Sequence, residues 1–182
     1  MADTPATQSK TLEQIVREVG TYSLDAFEFV RDSIGTASER VHGPVSKPER
    51  RVMKWMAGEN ISLESLHRLY EEEQLPPNIR AAIEKLGGVG ALNRHVSGEQ
   101  LCVVLRDLAI ERWGLLARDV LEHWGVYGTR DFGRIVFALV ENQILSKQPT
   151  DSERDFDRVY EFHEVFDRRY RISLAGDSAK TA

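Results

Sequence analysis

The chain has 182 residues, 41% of them hydrophobic and 29% charged, with a formal net charge of −5 at pH 7. That balance belongs to a chain that folds around a core, and it excludes a disordered polyampholyte or a general binder of nucleic acid or anionic membrane. The single cysteine, Cys102, excludes an internal disulfide, and no run reaches the ~18 apolar residues of a membrane span, so a cytoplasmic protein is expected.

Residues 1–10, "MADTPATQSK", are small and polar, lack the apolar centre of a secretory signal, and read as a flexible tail. "TLEQIVREVG" opens with Thr11 followed three residues later by Gln14, a pair that can cap each other's backbone N–H groups. Gly20 is placed to end that helix in the left-handed conformation. In "YSLDAFEFVRDSIG" Ser23 is the expected cap, Phe27, Val30 and Ile34 share one face, and Gly35 is the expected stop, with "TASERVHG" as a possible extension. Residues 11–43 therefore read as the N-terminal helical part of a core.

Between residues 44 and 94 the composition changes, and the segment reads as a helical insertion. "SKPERRVMKWMAG" has Ser46 as cap, Pro48 in the first turn and Glu49 three residues after the cap. "SLESLHRLYEEEQL" and "PPNIRAAIEKLGG" follow as short helices. Their narrow apolar stripes, Leu63, Leu66, Leu69 and Tyr70 in one and Ile79, Ala82, Ile83 and Leu86 in the other, predict an outer layer.

Residues 95–174 carry the rest of the core, and 175–182 a second flexible tail. Ser97 and Gln100 form another capping pair ahead of "LCVVLRDLAIERWG", "LLARDVLEHWG" ends at Gly125, and Thr129 is the expected cap of "RDFGRIVFALVEN". "ILSK" and "RVYEF" are strand-like and flank the turn-rich "QPTDSERDFD". "HEVFDRRY" reads as helical. Helix, two strands around a loop, and helix is the order in which a winged helix ends. The expected fold is mainly α: a multi-helical domain with a C-terminal winged-helix-like helix–hairpin–helix unit and a helical insertion.

A winged helix reads DNA through a helix whose exposed face offers polar groups to base edges. Here that helix has "IVFALV" at its centre, which predicts burial of Val136, Leu139 and Val140 and leaves no face for bases. In the would-be wing, Lys147, Arg154 and Arg158 are outnumbered by Asp151, Glu153, Asp155 and Asp157. Phosphate neutralisation, the main source of affinity for DNA, is missing, so sequence-specific DNA is not an expected partner.

Three blocks, "HVSGEQLCVVLRDLAIERWGLLARDVLEHWG", "TRDFGRIVFALVENQILSK" and "DFDRVYEFHEVFDRRY", together with the N-terminal "YSLDAFEFVRDSIG" and "RVHG", resemble an uncharacterised bacterial family common in Planctomycetes and Verrucomicrobia. The run from about Ser46 to Asn93 departs from that family, which passes sooner from the first block to "HVSG". The resemblance implies a cohesive fold and transfers no catalytic residues.

No catalytic, cofactor or metal set can be assembled. "DFG" at Asp131 lacks every companion motif of a kinase and is better read as an acidic residue favoured in a first helical turn. "HEVFD" from His163 has Asp167 where a zinc-protease motif needs its second histidine. Cys102 in "LCVVL" is a small core residue by its neighbours, and Trp113 and Trp124, each before a helix-ending glycine, read as boundary packing. The one segment with an interaction signature is "KPERRVMKWM": Lys47, Arg50, Arg51 and Lys54 against Glu49 leave +3 in ten residues, interleaved with Met53, Trp55 and Met56. The expected partner-binding set is Lys47, Arg50, Arg51, Lys54 and Trp55, and the expected function a non-enzymatic protein–protein interaction module for an acidic partner. The alternative is a nucleic-acid-associated regulator, with RNA the second candidate ligand, contacted through residues 47–56.

Overall fold

A computed structural model describes residues 10–167, and these are helical and irregular throughout. Eight α-helices lie among them: α1 (Leu12–Val19), α2 (Leu24–His42), α3 (Lys47–Glu59), α4 (Leu63–Glu71), α5 (Pro77–Leu86), α6 (Gly98–Trp113), α7 (Ala117–His123) and α8 (Thr129–Glu141). The flexible tails expected at 1–10 and 175–182 lie outside the described residues, Lys10 apart, as does the end of "HEVFDRRY". Packing divides the chain into two compact units, one running to Ile34 and resuming at Ser97, the other Gly35–Val96. The division falls inside α2, upstream of Pro44, where the composition changes.

Local chemistry explains most helix starts. Thr11 with Gln14, Ser46 with Glu49 and Ser97 with Gln100 each form the reciprocal cap, hydroxyl to backbone N–H and side-chain oxygen to the cap's own N–H. Gly20 closes α1 at φ 66°. Gly35 does not close α2: the helix continues to His42, because "TASERVH" propagates it and buries Ala37, and Gly43 at φ 78° comes after it. Thr129 is likewise not the cap of α8 but its first residue. Its hydroxyl donates to the Phe156 carbonyl at 2.6 Å and accepts from the Val159 N–H at 3.3 Å. Capping falls to Asp131, whose carboxylate accepts from the N–H groups of Tyr127 (2.9 Å) and Gly128 (3.1 Å) and from the Tyr22 hydroxyl (2.8 Å).

The expected C-terminal hairpin is absent: no strand forms among the described residues. The first two backbone donors of "ILSK" are consumed at the end of α8, where Ile144 and Leu145 both donate to the Leu139 carbonyl, at 2.9 and 3.3 Å. The segment after it closes on itself in short turns, Asp151 to Gln148, Asp155 to Ser152 and Asp157 to Arg154. With those N–H groups taken, the bonds a ladder would use go to the end of α8 and to local turns instead. The would-be wing instead acts as a strap that inserts Phe156 between α6 and α8. A Cβ on Gly98 would stand 2.7 Å from the Phe156 ring, and one on Gly133 2.8 Å from it, so both positions need glycine for this approach. Tyr160 follows, its hydroxyl on the Cys102 carbonyl at 2.9 Å, and then Phe162 and Phe166, whose rings meet edge to face at 5.1 Å.

Helix α8 is one-sided rather than apolar all round. Phe132, Ile135 and Leu139 are fully buried, whereas Val136 and Val140, expected in the core, are half-buried. The second unit also differs from the expected outer layer. Its narrow stripes close on each other: Val52, Leu66, Leu75, Ile79, Ile83 and Val89 are all buried in a core of the unit's own, with Trp55, Met56 and Tyr70 packed around it. Three short helices, each with a stripe too narrow to bury alone, become stable by sharing it.

Candidate functional site

Helix α3 is positioned by its two faces. Val52 is fully buried in the second unit's core and Glu49 is buried beside it; Lys47, Arg50, Arg51 and Lys54 lie on the exposed side. Lys47, Arg51 and Lys54 have no ion pair among the described residues, and Arg50 reaches only the Val45 carbonyl at 3.5 Å. Two acids of the unit's acidic run have other partners: Glu71 lies 3.4 Å from His67, and Glu73 lies 3.3 Å from Arg80. Met53 stands among the cations at 41% exposure. Trp55 is half-buried and packs on the unit's core, so of the five expected residues the four cations share the outer face and the indole sits at its edge.

The one acid within the basic run is turned inward. Glu49 Oε1 accepts from Arg94 Nη1 at 3.1 Å, with the two side chains only 11% and 9% exposed. Arg94 also donates to the carbonyls of Ser38 (3.3 Å) and Gly43, while the Ser38 hydroxyl donates back to the Arg94 carbonyl at 3.3 Å. One guanidinium thus ties the end of α2, the start of α3 and the chain leaving the unit. The Glu49 carboxyl is held below its ordinary value, first by the Ser46 hydroxyl and N–H and then by Arg94. Glu49 is legible in the sequence as a cap, but nothing local in "LNRHV" marks Arg94 as its partner 45 residues on.

In the first unit, Trp113 and Trp124 pack as boundary residues, each half-buried, with centroids 5.1 Å apart and planes at 89°. The buried ring of Phe29 lies 5.1 Å from the first and 5.9 Å from the second. Beside them α2 carries Asp25, Glu28 and Asp32, spaced to share one helical stripe, a signal present in "LDAFEFVRD".

Cys102 is fully buried, and burial pushes its thiol up to about 12, far from the thiolate a nucleophile needs. His163–Asp167 forms a single wide turn, and among the described residues no group of three or more His, Cys, Asp or Glu could hold a metal ion. No helix there is long and apolar enough to cross a membrane. The chain matches no family model, no curated protein and no solved structure.

Proposed function

We propose that this protein is a non-enzymatic interaction module whose α3 docks an acidic surface of a protein partner. The observation that carries the reading is the cationic outer face of α3: Lys47, Arg50, Arg51 and Lys54, exposed and without an acidic partner among the described residues, around the exposed Met53. Like charges at helical spacing disfavour an isolated helix by a few tenths of a kcal/mol per pair, so the cluster does nothing for the helix itself. A desolvating acidic partner would offset that cost, and Met53 would add an adaptable apolar contact. Reading of duplex DNA by α8 has less support, since Arg130 faces Asp157 at 3.5 Å and Arg134 faces Asp131 at 3.3 Å.

The test is a titration of the labelled chain with poly-L-glutamate and, separately, single-stranded oligo-uridine at physiological salt. The triple change Arg50→Glu, Arg51→Glu, Lys54→Glu should abolish polyglutamate binding and leave the melting temperature unchanged. Tighter binding of the RNA than of polyglutamate would shift the reading to the nucleic-acid-associated alternative. A melting temperature lowered by the reversal would make the patch part of the fold.

A further inference from the structure

In the first unit a cavity of about 240 Å³ opens beside α2, walled by the two crossed indoles of Trp113 and Trp124 over Phe29. It is smaller than the roughly 300–1,000 Å³ of sites that hold drug-sized molecules, and so is sized for the head of one side chain. Its rim carries three carboxylates, Asp25, Glu28 and Asp32, and one cation, Arg112. Arg31, bonded to Asp32 at 2.7 Å and close enough to Glu28 to feel its charge, offsets part of that excess. Asp25 has no ion-pair partner among the described residues. The walls accept a guanidinium already: that of Arg112 lies over the Trp113 ring at 5.5 Å from its centroid. Neither indole N–H has a hydrogen-bond partner among the described residues.

We infer that this cavity receives the side chain of an arginine presented by a partner protein. A planar guanidinium stacks on an indole and at the same time offers paired N–H groups to a carboxylate, the two functions that the tryptophans and Asp25 with Glu28 supply together. A lysine ammonium is more strongly hydrated and lacks the planar fork, and a quaternary ammonium has no N–H to give the carboxylates. Arg112 is then an internal occupant that an incoming arginine displaces. This site is independent of α3: it lies in the other unit and has the opposite charge.

The test uses the full ¹⁵N-labelled chain and acetyl-arginine N-methylamide, with the three indole N–H signals as the readout. The probe should shift the Trp113 and Trp124 signals saturably and leave Trp55 unmoved, while acetyl-citrulline N-methylamide, the same shape without charge, should shift neither. Asp25→Asn with Glu28→Gln should weaken binding by about tenfold, the factor that corresponds to about 1.4 kcal/mol. Arg112→Gln should strengthen it, a gain that a merely structural arginine would not produce. Equal shifts with citrulline, or no saturation with the arginine probe, would overturn the site. Tetramethylammonium binding more tightly than the arginine probe would overturn its assignment to a guanidinium.

Discussion

The two units differ in where they bury an ion pair and in where they leave a charge without one. The second keeps one ion pair largely buried, Glu49 with Arg94, beside surface pairs of Arg80 with Glu73 and Glu84, and the cations of α3 have no ion pair among the described residues. The first commits its cations to surface pairs, Arg31 with Asp32, Arg118 with Glu122 and Arg134 with Asp131, and leaves Asp25 without one among the described residues. Its interior is held by aromatic rings, from Phe29 under two indoles to Phe156 between two glycines. A surface pair contributes about 0–1 kcal/mol, whereas breaking a buried pair costs several. One buried ion pair is therefore structural in the second unit, beside an apolar core of its own, whereas the pairs named in the first are peripheral.

That contrast can be broken most directly at Phe156, which is 4% exposed. Phe156→Ala should cost about 3–5 kcal/mol, the usual loss for a buried aromatic truncated to alanine. Segment-resolved hydrogen exchange should show the loss in α6 and α8 while α3 to α5 keep their protection. Equal loss in both units would mean that they unfold as one.

Arg94→Ala is the converse experiment. It leaves Glu49 without its charge partner and should cost about 3 kcal/mol, near the lower end for a buried pair because both side chains still touch water. The loss should fall on α3 to α5. A pH series sharpens it. Because the folded Glu49 carboxyl lies below its ordinary value of 4.5, its stabilisation is fully present above that value and is lost as pH falls through the lower folded one. Wild type should therefore lose more stability than Glu49→Gln on acidification below about pH 4.5, and the two should run parallel above it.

The smallest effect belongs to Gly35, inside α2 with nothing within 4 Å of a Cβ built on it. Gly35→Ala should stabilise the chain by about 0.5–1 kcal/mol, read as a higher urea midpoint at unchanged slope. Destabilisation there would show that this point on α2 needs a flexible residue.

Reciprocal caps at Thr11, Ser46 and Ser97 were legible because both halves lie within four residues of each other. The strap was not. Alternation in "RVYEF" has the period of a strand, but the period reports which side chains face a core and not where the backbone bonds. Those bonds depend on Leu139 and Thr129, which lie outside the segment itself. Gly98 and Gly133 were equally opaque, since their reason is a ring more than 20 residues on in sequence. Of the site, the charge of α3 was legible from composition; that Glu49 faces inward was not, and it is this turn that leaves the outer face purely cationic.

The interruption of the first unit between Ile34 and Ser97 matters while the chain is being made. On a ribosome the second unit is complete once Val96 emerges, when α1 and the start of α2 still lack α6 and α8. The 45 residues from Val96 to Glu141 take roughly 2–9 s at about 5–20 residues per second. Throughout that interval Ile15, Phe27 and Val30, all fully buried in the finished protein, lack the helices that complete their unit. Exposure to chaperones and to aggregation is thus greatest for the earlier-made half of the first unit, and a slower passage through residues 97–141 would lengthen it.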